Sequence, residues 1–224
     1  MANAAVATQS GKSIVWNRIK GNGTEPKNIQ WGDSTVTASA AANVNLFKPQ
    51  TEARTAGTST LVTTTASCLA DTYQVTGTVT CAVGAKTITE VGLFDSTTAS
   101  PSTTISASLT ASATVVTIAS ASGFPTTGNY YAQVENETVL VTGSSSTTLT
   151  MTRGRLTSTS ATHASAVPFS LGGDGGAGDG GATSEQTATV AASSGGGILL
   201  HADFAGIALS VADSINFTIT DQLT

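Results

Sequence analysis

The segment "TYQVTGTVTC", residues 72–81, alternates with a strict period of two. Tyr73, Val75, Gly77, Val79 and Cys81 fall on one face, and Gln74, Thr76, Thr78 and Thr80 on the other. Successive side chains of a strand point to opposite faces, so this pattern predicts a half-buried antiparallel strand and argues against a helix. The preceding "TSTLVTTTA" (58–66) is rich in β-branched residues, and "LADTY" supplies a short turn, so the two read as a hairpin. A further strand is expected at "GAKTITEVGLFD" (84–95). There Ile88, Val91, Leu93 and Phe94 break the alternation, which predicts burial on both faces or a bulge near Gly92.

After Phe94 the chain dissolves into "TTASPSTT". A comparable apolar strand returns only at "GGILLHADFAGI" (196–207), followed by the turn "SVAD" and the alternating "DSINFTITDQL" (213–223). Between them, "ATVVTIAS", "NYYAQVENETVLVTG" and "TTLTMTRG" have a strand rhythm of their own, with turn signals at 122–129 and 142–148. "LTSTSATHA" (156–164) reads as a short helical turn. Insertions are tolerated at hairpin tips whose ends lie close together. The expected fold is therefore all-β. An antiparallel β-sandwich or barrel-like outer domain comprises 1–97 plus 187–224, and a small β-module at 113–169 is inserted in a hairpin loop. Linkers are expected at 98–112 and, Gly-rich, at 170–186. Residues 88–94 are expected to pair with 197–204. Residues 1–57 read as a partly irregular arm. In it "SIVWNRI" (13–19) and "NIQWGD" (28–33) are short strands, and "VTASAAANVNLF" (36–47) is either a helical turn or an extended arm.

Only 10% of the 224 residues are charged, against about 25% in ordinary globular domains. Such a surface of hydroxyls and small residues suits a protein built into an assembly or exposed outside a cell. The net charge is −5, and the densest positive stretch is Lys12, Arg18, Lys20 and Lys27. This is a poor footprint for nucleic acid or an anionic membrane. The N-terminus lacks the basic start and apolar core of a signal peptide, and no run approaches a membrane span, so synthesis in a cytoplasm is expected.

Candidate chemistry is sparse. "GGDGGAG" contains a literal GxGxxG at Gly173, Gly175 and Gly178, but no strand precedes it and no helix pattern follows, so it reads as linker. Asp174 and Asp179 in the same tract make at best a weak calcium site. Cys68 and Cys81 read as buried small apolar residues, too far apart along a hairpin to bond. His163 and His201 lack the clustered ligands of a metal site and read as structural. Glu135 and Glu137, placed on one strand, would share a face. Their spacing meets that of a glycosidase pair, but an ion pair with Arg153 or Arg155 is the preferred reading. Tyr130 and Tyr131 are the only adjacent aromatics, too few for a glycan platform. No catalytic, cofactor-binding or metal-binding residue is expected, and no cofactor.

Two sets of residues carry a resemblance. "DTYQVTGTVTCAVGAKTITEVGLFD", joined to "GGGILLHADFAGIALSVADSINFTIT", resembles a family of bacteriophage proteins in which an ITE-[AV]-G-L-F strand precedes an apolar LL-x-x-x-F strand and a terminal strand. "NRIKGNGTEPKNIQWGDSTV" is similar to the opening of such proteins. Residues around "ENETVLVTG" and "LTMTRG", closed by His163, resemble a small β-module that recurs in phage virion proteins. The resemblance implies a virion structural protein made in a bacterial cytoplasm. The expected role is a capsid decoration (cement) protein, with a tail fibre or baseplate component as the alternative. Expected partners are the major capsid protein and copies of the chain itself, as a homotrimer, with a host surface reached through the module. Neither nucleic acid nor membrane is an expected partner. Trp16, Trp31 and Phe47 in the N-terminal arm are the candidate partner contacts.

Overall fold

The computed structural model describes residues 5–36, 38–66, 68–173 and 195–222. In chain order the strands are β1 (Val6–Ala7), β2 (Asn28–Gly32), β3 (Thr55–Ala56), β4 (Thr58–Val62), β5 (Thr72–Thr80), β6 (Lys86–Phe94) and β7 (Ser102–Thr104). They continue as β8 (Val115–Thr117), β9 (Tyr130–Val134), β10 (Glu137–Ser145), β11 (Thr148–Thr152), β12 (Pro168–Leu171), β13 (Ile198–Leu209) and β14 (Ser214–Gln222). One helix, α1 (Gln9–Ile19), lies between β1 and β2. The fold is all-β and antiparallel.

Two sheets, ordered β1-β13-β6-β2-β3 and β14-β5-β4, curl into a half-barrel. Its core contains Ile29, Trp31, Val75, Val79, Ile88, Leu93, Leu199 and Leu200. The β4–β5 hairpin expected from the alternation is present, with Thr58 opposite Thr76 and Val62 opposite Thr72. The long-range pairing is present too: Phe94 faces Ile198, Gly92 faces His201 and Ile88 faces Ile207. The irregularities lie on β13, at 198–200 and 203–207, and not at Gly92. The broken alternation of β6 has the other cause. Glu90 through Phe94 are buried on both faces, and Gly92 leaves no room for a Cβ against Phe94, Ile198 and Leu46.

A third sheet, ordered β7-β12-β9-β10-β11-β8, is drawn wholly from residues 102–171 and rolls around Ile118, Tyr130, Val139, Leu149 and Phe169. Its first strand falls inside 98–112, where a linker was expected. Ile105 and Leu109 there are 1% and 3% exposed, and bridge to Ile118 and His163. A stretch poor in large apolar residues thus supplies two anchors at the positions that matter. Residues 156–164 form no helix. Leu156 and Thr157 turn with positive φ, and His163 continues extended against Leu109. Residues 174–194, which hold Asp174, Gly175, Gly178, Asp179 and most of the Gly-rich linker, lie outside the described residues.

The segment 38–47 is irregular, with a turn closed by Asn43 N donating to Ala40 O at 3.0 Å, and it lies against both the half-barrel and the third sheet. Ala41 O accepts from Gln9 N at 2.8 Å, and Phe47 N donates to Glu90 Oε2 at 2.9 Å. Towards the third sheet, Val44 N donates to Gln133 Oε1 at 3.0 Å and Asn45 Nδ2 to Leu171 O at 2.9 Å. Ala42 and Val44 pack with Tyr131, Leu140 and Leu156. The two layers therefore share a structural strip. Arg54 fastens the point where the chain leaves and rejoins the half-barrel. Its Nη1 donates to Ser96 O and Gly195 O, and its guanidinium lies 3.6 Å over the Phe94 ring.

Candidate assembly surface

The N-terminal arm differs from its expected form. Residues 13–19 are helical, not extended, because Thr8 caps α1: its side chain accepts from Gly11 N at 2.9 Å. The same Thr8 hydroxyl donates to Ile198 O, and Ser10 Oγ donates to that carbonyl at 2.9 Å. Gly11 lies so close to β13 that an added Cβ would fall 2.5 Å from Leu199 O. The face α1 turns inward is accordingly small and hydroxylated, with Ser10, Gly11, Ser13 and Ile14 buried. Of its large apolar side chains only Ile14 packs into the half-barrel core; Val15 is 42% exposed, Trp16 59% and Ile19 68%. This reverses most of the usual amphipathic arrangement, and a single buried Ile14 makes no core-facing apolar stripe of the kind by which a helix is recognised.

Of the three candidate contacts, only Trp16 lies at the surface. Trp31 sits on β2 in the half-barrel core, and Phe47 packs edge-on against His201 with ring centroids 4.6 Å apart. A second exposed element belongs to the half-barrel. Among the described residues β14 pairs only with β5, which leaves its outer edge of nine residues without a strand partner. Asp221 is its one charge, and it carries neither Lys nor Pro. Edge strands are normally guarded by such residues, and an unguarded one is a template for another chain.

Two clusters of titratable residues are buried around the histidines. Glu135 and Glu137 do not share a strand. Val134 pairs with Glu137, so Glu135 and Asn136 form a two-residue turn, with Glu135 at φ 50°. Both carboxylates nevertheless reach His163, Glu135 Oε2 at 2.6 Å from Nδ1 and Glu137 Oε2 at 2.8 Å from Nε2. Ionised carboxylates only accept, so this arrangement favours donation from both ring nitrogens, the doubly protonated ring. Burial alone would lower the His163 pKa, but the bonds to Glu137 and Glu135 outweigh it and raise it. Burial would raise the Glu137 pKa. The bonds from His163, Arg153, Ala161 N and Gly154 N outweigh it and hold the carboxyl down to about 2. The ion pair expected with Arg153 is thus present, inside a wider network.

In the second cluster Glu90 accepts from Phe47 N at 2.9 Å and Lys48 N at 2.7 Å, and meets His201 Nε2 at 2.9 Å. His201 Nδ1 faces Asn43 Oδ1 at 3.0 Å. Both histidines are thus structural ties that hold loops to strands. Cys81 is buried, whereas Cys68 is exposed near the β4–β5 hairpin tip, because the turn carries it off the sheet. Both cysteines are free. Among the described residues no group of three or more His, Cys, Asp and Glu side chains is set to hold a metal, and no helix is long and apolar enough to cross a membrane.

Sequence reasoning missed α1 and the convergence on His163. Thr8 ahead of the helix and Gly21 after it, at φ 79°, were the available signals for α1. For His163 the signal was a two-residue polar break between apolar alternations at 135–136. Comparison of the chain with protein-family models, curated proteins and solved structures finds no match.

Proposed function

We propose that this chain is a non-enzymatic structural protein of a bacteriophage virion, acting as a capsid decoration (cement) protein that binds the shell as an oligomer. The observation that carries the reading is the inverted helix α1. A chain that folds with Trp16 and Ile19 outward, and Ser10 and Ser13 inward, presents apolar surface to a partner. The free β14 edge offers a second contact of the same kind. The groups best suited to acid–base chemistry, Glu135, Glu137 and His163, are engaged with one another instead of facing a cleft. The motifs "TITEVGLFD" and "ENETVLVTG" tie the assembly to phage particles by resemblance. In this reading the half-barrel sits on the major capsid protein, neighbouring copies form a trimer, and residues 102–171 project as a module towards the host.

A tail fibre or baseplate role is the second reading. It is favoured by the third sheet, whose six contiguous strands make a compact tip. Quantitative protein analysis of purified virions separates the two readings. Hundreds of copies per particle, with loss of shell stability when the gene is deleted, support decoration. A handful of copies, with loss of host attachment, supports a tail part. Absence from the particle overturns both.

A further inference from the structure

Lys86, at the start of β6, directs its side chain at the loop that follows β2. Its Nζ contacts Gln50 Oε1 directly, and Glu52 Oε2 lies 3.7 Å from the same nitrogen. The Trp31 ring shields the ammonium from one side, with its centroid 5.7 Å from Nζ. Gln50 is 8% exposed, and the Glu52 and Lys86 side chains are 9% and 19% exposed. A nucleophilic amine, an amide carbonyl and a carboxylate thus meet in one largely water-excluded place. Gln50 is also held from behind: its N–H donates to Trp31 O at 3.0 Å, and its carbonyl accepts from Gln30 Nε2 at 3.2 Å. On its other side Lys86 lines an open groove of about 960 Å³, together with Asp33, Ser34 and Thr87.

From this geometry we infer that Lys86 and Gln50 are the two halves of an intramolecular isopeptide cross-link, with Glu52 as the proton carrier. Glu52 takes a proton from the Lys86 ammonium, and the freed Nζ lone pair attacks Gln50 Cδ. The tetrahedral adduct loses a second Nζ proton through Glu52 to the departing amide nitrogen. The Cδ–Nε2 bond then breaks and ammonia leaves, with Glu52 keeping the first proton. One C–N bond forms, one breaks, and no oxidant or further reactant takes part. Fixed juxtaposition is the main source of rate in such a reaction, because it replaces a bimolecular encounter with an effectively unimolecular step. A neighbouring carboxylate within reach of the amine supplies the base. The bond would tie the β2–β3 connection to β6 covalently, across the half-barrel sheet. It stands apart from the role of the protein in a particle.

The experiment is intact-mass analysis of the purified full chain, followed by proteolysis and tandem mass spectrometry. The expected mass is that of the sequence less one ammonia, with a branched peptide joining Lys86 to Gln50. Asn22–Gly23 can also lose ammonia by succinimide formation, so the branch must be located, and the branched peptide must be absent from Lys86→Arg. In Glu52→Gln, which keeps both joined residues, the linked fraction should fall at least tenfold. Full sequence mass in the folded wild-type chain after prolonged incubation overturns the inference. So does an ammonia loss that maps to Asn22–Gly23 alone, with no branched peptide at Lys86.

Discussion

Arg153 and Glu137 are joined by two parallel hydrogen bonds, Nε to Oε1 at 2.7 Å and Nη2 to Oε2 at 2.6 Å. The Arg side chain is 6% exposed and the Glu side chain 0%. The same guanidinium donates to the carbonyls of Thr110, Ala113 and Ala161. One side chain therefore holds two loops, the β7–β8 and β11–β12 connections, against the hairpin end of β10. Removing one member of a buried pair strands the other charge. Arg153→Met should cost about 3–5 kcal/mol, read as a shift in the urea midpoint. A loss below about 1 kcal/mol would show that the pair is solvated in solution.

The His163 site sets the pH range of the third sheet. A raised His163 pKa gives stability that is complete below the ordinary value of 6.5 and is lost as pH rises through the folded value. The lowered Glu137 pKa gives stability that is complete above 4.5 and is lost as pH falls towards about 2. Thermal midpoints should therefore be highest between about pH 4.5 and 6.5. His163→Gln should abolish the decline on the alkaline side. Identical pH profiles for wild type and variant above pH 6.5 would count against the imidazolium.

Gly11 offers a test of how α1 sits. In an exposed helix interior, Gly→Ala stabilises by about 0.5–1 kcal/mol. Here the new methyl would meet the Leu199 carbonyl at 2.5 Å. Gly11→Ala should instead destabilise by about 1–3 kcal/mol through overpacking, measured by chemical denaturation. A more stable variant would mean that α1 does not rest on β13 in solution.

Trp16 and Trp31 make a contrasting pair. Trp16→Ala should change unfolding stability by no more than about 0.5 kcal/mol. If the capsid reading holds, it should also weaken binding to particles lacking the protein by about 30-fold or more, as expected of a hot-spot residue. Trp31→Ala should cost about 3–5 kcal/mol of stability. Co-sedimentation with stripped particles and denaturant titration give the two readouts. Unchanged co-sedimentation of Trp16→Ala would remove α1 from the interface.

Where two faces have different environments, the residues advertise it. Val75, Val79 and Cys81 alternate with Thr76, Thr78 and Thr80, and β5 could be read directly. The β6–β13 pairing was legible because both strands are apolar and the segment that parts them has a strand rhythm and turn signals of its own. Helix α1 was hidden because backbone contact at Gly11 and hydroxyl bonds from Thr8 and Ser10 hold it, and those leave no apolar periodicity. The expected linker at 98–112 misled for a related reason: Ile105 and Leu109 are isolated in a run of small polar residues, yet each fills a buried position. At the candidate site, the pairing of a Glu with Arg153 could be guessed from charge alone. The approach of His163 from 26 residues beyond Glu137 depends on loop closure, which no local pattern encodes.

The strip at 38–47 has a consequence for how the molecule is made. It is made before its partners Glu90, Gln133, Leu171 and His201, which emerge in succession, the last of them 158 residues after Asn43. Strand β1 likewise waits for Leu200 and His201. Contacts so distant in sequence form slowly, because loop closure must come before they reward it. The half-barrel is thus completed only after β13 has emerged, and Ile29, Ile88 and Leu93, which pack with Leu199 and Leu200, stay uncovered until then. A cell making this protein in quantity has an aggregation interval to manage, and its length is set by translation time.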